Sequence, residues 1–154
     1  MGIKLTNLKD IEKFLERSIQ ERETIIINRL HRVGLQFVTD ARTKTRQIGY
    51  FATSGSVLKP DSQGFFDQTS VLRSSIGYVI THNGKVISSD FQGEKAEGVA
   101  QGSQFAEELT KGVEGFALIC VAGANYAYYV EALGYDVITG SSITAEQNLK
   151  KYFK

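Results

Sequence analysis

From Asn7 to about Gln47, apolar residues recur at three- and four-residue steps, with no proline and a single glycine, Gly34. Leu8, Ile11, Phe14, Leu15 and Ile19 form one stripe, and Ile26, Leu30, Val33, Phe37 and Ala41 form a second. This is the period of an amphipathic helix, and Asn7 is placed to cap it. Between the stripes, Thr24-Ile25-Ile26-Ile27 predicts a bend or a break. Three consecutive isoleucines cannot share one helical face, and β-branched residues are mediocre helix formers. Such a helix either packs on a sheet or reaches toward a neighbouring subunit.

The period lapses over residues 48–70, where Gly49, Gly55, Pro60, Asp61 and Gly64 predict a long loop. Its aromatic residues Tyr50, Phe51, Phe65 and Phe66 predict docking, either on their own domain or on another subunit. From Val71 to Thr81 the pattern changes to alternation, with Leu72, Ser74, Ile76, Tyr78 and Ile80 on one face. His82-Asn83-Gly84 then separates this arm from Lys85–Phe91. Asn-Gly between β-rich segments is a hairpin signal, because both residues tolerate positive φ. Residues 93–102 read as a flexible connection and Phe105, Ala106 and Leu109 as a short helix.

The continuous apolar run Phe116–Ala122 is too short for a bilayer span and predicts a buried strand. After Gly123 comes a helical turn containing Tyr126, Tyr129, Val130 and Leu133, with Asn125 as cap and Gly134 as stop. Tyr135–Thr139 predicts a further strand, and a final helix starts near Ser142 or Thr144. The sum is one α+β domain: a helical region over 1–47, the loop over 48–70, and sheet with short helices over 71–154. A four-stranded, mainly antiparallel sheet carries the long helix on one face.

Charge adds a polarity to this picture. Residues 1–48 hold 10 Lys/Arg against 6 Asp/Glu, and the remainder holds 8 against 11, giving a net charge of +1. A near-neutral chain argues against a dedicated nucleic-acid or membrane-surface binder, whereas opposed halves suit head-to-tail contact between copies. No apolar segment reaches the length of a membrane helix, and no signal-peptide core is expected. The one cysteine, Cys120, excludes an intrachain disulfide and fits a reducing compartment.

Little in the sequence points to catalysis. No phosphate-binding loop, zinc-protease motif or cysteine pair is present, so neither a catalytic residue, a cofactor nor a metal ligand is assigned. His31 lies between Arg29 and Arg32 on the helix, His82 at the hairpin tip, and both are expected at the surface. Cys120 sits among apolar neighbours and reads as a core thiol. A small cytoplasmic enzyme would have to use Cys120 or His31, and its thiolate would need a stabilising, accessible setting.

Two stretches carry a resemblance. Asp67-Gln68-Thr69-Ser70-Val71-Leu72-Arg73-Ser74-Ser75-Ile76, then a hairpin, a short helix, an apolar strand and Tyr126-Ala127-Tyr128-Tyr129-Val130-Glu131 follow the order seen in the tail-completion, or head-tail joining, proteins of long-tailed bacteriophages. The chain resembles that family over about residues 30–140. Ser70 stands where the family usually has glycine, Ala132-Leu133-Gly134-Tyr135 replaces the common aromatic-Gly-Thr, and the usual Pro-Phe near the C-terminus is absent.

The resemblance implies a structural virion protein of the phage neck, assembled in the host cytoplasm. It would form a homo-oligomeric ring, a hexamer or dodecamer, between the portal-connector and the tail-terminator or tail-tube proteins. DNA would pass through the lumen without being read, and no membrane is involved. Arg73, Tyr126, Tyr129 and Glu131, with Phe51, Phe65 and Phe66 of the loop, are the expected interface residues. Arg73 is the expected donor to Glu131. The alternative is that the tyrosines fill the core and Glu131 caps backbone within its own chain. A small adaptor binding a partner at a strand edge is the other non-enzymatic class.

Overall fold

The computed structural model describes residues 8–44, 46–47, 66–67 and 69–154. The apolar period of the first 40 residues yields a single α-helix, α1, Leu8–Lys44, about 55 Å long. The expected break at Thr24–Ile27 does not occur. Ile26 and Ile27 turn toward the core while Ile25 faces outward, so one continuous helix accommodates all three isoleucines. The two stripes fare differently. Leu30, Val33, Phe37 and Ala41 are buried against the sheet, whereas Leu8, Phe14, Leu15 and Ile19 are exposed.

Two residue pairs, β1 (Arg46–Gln47) and β2 (Phe66–Asp67), run parallel and bracket residues 48–65. Phe51 and Phe65 lie outside the described residues, and Phe66 is placed by its backbone alone. A short helix, α2 (Val71–Ser75), precedes β3 (Ile76–His82), β4 (Lys85–Asp90), α3 (Ala96–Leu109), β5 (Phe116–Ala122), α4 (Ala127–Ala132) and α5 (Thr139–Tyr152).

The main sheet has three strands in the order β4-β3-β5, all antiparallel, rather than the four predicted. The missing strand is Tyr135–Thr139. The carboxylate of Glu131 accepts the N–H groups of Val137, Ile138 and Thr139, which removes them from any ladder, and α5 starts at Thr139 instead of Ser142 or Thr144. The alternation over Val71–Thr81 is also only partly a strand. Residues 71–75 curl into α2 because Asp67 accepts the N–H groups of Thr69 and Arg73 and the Ser75 hydroxyl donates to the Leu72 carbonyl.

The hairpin forms where Asn83-Gly84 predicts it. Both residues have positive φ, 52° and 76°, and the register shifts just before the turn, between Ile80 and Thr81. Residues 93–102 are a connection only as far as Lys95, since α3 begins at Ala96. Gly98 and Gly102 stand on the face of α3 that meets α2 and β5, where a methyl group on Gly102 would lie 2.4 Å from the Ser75 carbonyl oxygen. Glycine here sets the distance between helix and sheet.

The central strand β3 is buried on both faces. Ile76, Tyr78 and Ile80 join α1 and α5 in the larger core, and Val79 packs with Ala106 and Val121 beneath α3. Gly34 lets α1 descend onto the Tyr78 ring: an added methyl group there would lie 2.6 Å from it. A further cluster of Leu72, Ala124, Ala127, Val130 and Val137 ties α2 to α4 and to the turn before α5.

Candidate functional site

The two stretches of sequence that stand out, 67–76 and 126–131, meet in space. The Tyr126 hydroxyl accepts the Leu72 N–H at 3.0 Å and lies 3.5 Å from the Thr69 hydroxyl, so the tyrosine caps the first turn of α2. Ser75 answers from the other side. Its hydroxyl accepts the Ala124 N–H at 2.9 Å, and its carbonyl accepts the Gly123 N–H at 3.2 Å. Ser70, at the start of α2, has φ 60°, the left-handed conformation that glycine adopts without strain. This is the position at which the resemblance implies glycine.

Glu131 belongs to the same junction. Oε2 accepts the N–H groups of Val137 at 3.1 Å and Ile138 at 3.2 Å, and Oε1 that of Thr139 at 3.1 Å. Asp136 adds a bond from the Gly140 N–H at 2.9 Å. Two carboxylates thus satisfy the first N–H groups of α5 and complement the positive end of its dipole. Within the chain, the expected partner Arg73 is not the donor to Glu131. Backbone capping wins because three preorganised N–H groups converge within one turn of loop. Arg73 instead lines an open surface cavity with Arg42, Asp90 and Gln92. Burial lowers the pKa of Arg42; Asp90 opposes that shift and Arg73 adds to it.

The tyrosines divide by role. Tyr126 is half-buried and occupied by the backbone of α2, while Tyr129 is 65 % exposed. Tyr128, at 86 % exposure, and Leu133 extend the same outward surface of α4, although neither is among the interface residues expected from sequence. The signal available was the buried phase of the turn. Once Ala127 and Val130 are assigned to the core, Tyr128 and Tyr129 must point away.

His31 and Cys120 each adjoin Tyr78, one at its hydroxyl and the other across the strand pair. His31 is half-buried rather than exposed, its Nδ1 2.8 Å from the Tyr78 hydroxyl, and Cys120 is the cross-strand partner of Tyr78. Burial pushes the Cys120 thiol up to about 12 and the Tyr78 hydroxyl up to about 12, Asp90 and Cys120 adding to the latter. The thiol is therefore protonated at neutral pH, the reverse of an activated nucleophile. His82 leaves the hairpin tip to stack on Phe116, ring centroids 4.1 Å apart.

A consequence for stability follows from the direction of these shifts. In the unfolded chain the two groups ionise from their ordinary values of 9.0 and 10.0, whereas in the folded chain they stay neutral to about 12. Their contribution is full below pH 9 and lost as pH rises toward 12. Urea unfolding at stepped pH is expected to show a falling midpoint across that window, with a shallower fall in Cys120→Ala. A flat profile contradicts this.

Among the described residues, no group of three or more His, Cys, Asp or Glu side chains is placed to hold a metal ion, and no helix is long and apolar enough to cross a membrane. No family model, curated protein or solved structure matches the chain.

Proposed function

We propose that this chain is a structural protein of the phage neck, a ring subunit that joins the DNA-filled head to the tail. One observation carries the reading. The two stretches on which the resemblance rests are joined through Tyr126, Leu72, Ser75 and Ala124, and the junction leaves Tyr128, Tyr129 and Leu133 outward on a short, well-anchored helix. Exposed tyrosines held on a rigid support make effective interface anchors, since they combine large contact area with hydrogen bonding at low entropic cost. In this role Tyr129 and Tyr128 meet the next copy or the portal-connector and tail-terminator proteins. Tyr126 and Glu131 shape the surface from behind, and Arg73 lines the cavity beside Arg42 and Asp90.

Deleting the chain from the genome that encodes it is expected to leave full heads and finished tails unjoined, with added protein restoring joined particles. Normal particles without the chain would overturn the reading. A second reading is favoured by one observation: β5 lies at a sheet edge and, among the described residues, pairs only with β3. An adaptor taking an extended peptide along that edge fits this geometry. The deletion separates the two, since an adaptor leaves no store of unjoined heads and tails.

A further inference from the structure

The first half of α1 projects an apolar face that the other described residues do not cover. Leu8, Leu15, Ile19, Ile26, Val33 and Phe37 follow one another at seven- and four-residue steps, so they share one line along a helix that turns about 100° per residue. Val33 and Phe37 on that line are 1 % exposed, whereas Leu15 and Ile19 are 54 % and 57 % exposed. The core stripe therefore runs on past the sheet and past α5, and Phe14 widens it at 68 % exposure. Apolar patches left open in this way mark interaction surfaces.

Charge identifies the partner. Glu12, Glu16 and Glu23, at steps of four and seven, line one flank of the exposed stripe, and Arg22 alone among the basic residues there stands on the other. At the base of the same arm, α5 ends beside α1 in a corner of opposite sign. The Arg29 guanidinium donates to the Tyr152 carbonyl at 2.7 Å and lies 5.8 Å from the Phe153 ring, Arg32 lies 6.0 Å from the Tyr152 ring, and Lys151 and Lys154 bracket Tyr152 and Phe153 in the sequence, while Lys150 is paired with Glu146. Phe153 supplies an exposed apolar centre to this corner. Antiparallel pairing of two arms would set one glutamate row against the other, because equivalent flanks meet in such pairs. The basic corner has the complementary sign.

We infer that the arm formed by residues 8–25 docks on the basic corner of a second copy of this chain, its apolar stripe against Phe153 and its glutamates against the lysines and arginines. Donor and acceptor are different patches, so each copy offers one of each and the contact is heterologous, the kind that closes a ring. The inference rests on the neck reading for its purpose and on charge and burial for its geometry.

The test uses the full chain in a Cys120→Ala background. Protein carrying Glu16→Cys is mixed with protein carrying Lys151→Cys under mild oxidation. A disulfide-linked heterodimer is expected on mixing, with little linkage of either protein alone. Adding Leu15→Asp to the Glu16→Cys protein is expected to abolish the link, whereas Leu15→Asp on the Lys151→Cys protein leaves it intact. No heterodimer, or equal linkage of Glu16→Cys protein with itself, overturns the proposal. So does a lowered melting temperature of Leu15→Asp at concentrations where the chain is monomeric, since the arm would then be covered by its own chain. Head-tail joining by Leu15→Asp protein would sink the arm contact and leave the neck reading standing. A specific heterodimer from a chain whose deletion leaves particles normal would do the reverse.

Discussion

Glu131→Ala is expected to lower folding stability by about 2–3 kcal/mol, because it removes one carboxylate and leaves three N–H groups at the start of α5 without their acceptor. For a chain of this size the melting temperature should fall by roughly 5–10 °C. Glu131→Gln, which keeps one acceptor oxygen, should lose less, and Glu131→Arg more, since it places a cation at the positive end of the helix dipole. Thermal unfolding of the three variants gives the order directly. If Glu131→Arg melts with the parent chain, the capping role is wrong and the carboxylate is free to serve an interface. Any loss of assembly in a Glu131 variant has to be read against this loss of fold.

Leu72→Ala should cost more, about 3–4 kcal/mol. Leu72 is fully buried among Ala124, Ala127, Val130 and Val137, where small neighbours on short helices leave little scope for collapse into the cavity. The same residue supplies the N–H that Tyr126 accepts. Tyr126→Phe keeps the ring and removes the acceptor, so it separates packing from hydrogen bonding. Denaturant unfolding of the two single variants and the double should reveal coupling between them, since their residues touch. Strict additivity would mean that the junction is not one cooperative unit.

Local signals in the sequence suffice for the helical period of α1, though not for its continuity through Thr24–Ile27, and for the Asn83-Gly84 hairpin and the β5 strand, because each rests on the spacing of its own residues. Two of the differences share a physical cause, the capture of a backbone segment by a side chain. Tyr135–Thr139 has the composition of a strand, yet Glu131 takes its N–H groups. Val71–Ser75 alternates like a strand, yet Asp67 and Ser75 curl it into a helix. His31 was misplaced at the surface for a related reason. Its partner Tyr78 is 47 positions away, and no pattern within a helix announces a contact at that range.

At the site, sequence pointed to Tyr126, Tyr129 and Glu131 together but not to their separate duties. Helical spacing groups residues by face, and Tyr126 precedes the first helical position, so it escapes that grouping. Periodicity likewise marked both apolar stripes of α1, while only coordinates distinguish a stripe that is covered from one that is bare.

The arrangement of the sheet also sets an order of events in time. β3 and β4 are joined by a two-residue turn and can pair within microseconds of chain collapse. The other edge of β3 waits for β5, and the bonds that close it, between Asn83 and Gly115, bridge 32 positions. Until α3 has folded and brought that strand round, β3 has one unpaired edge. Pairing of β3 with β5 is therefore expected after that of β3 with β4, since it closes the longer loop.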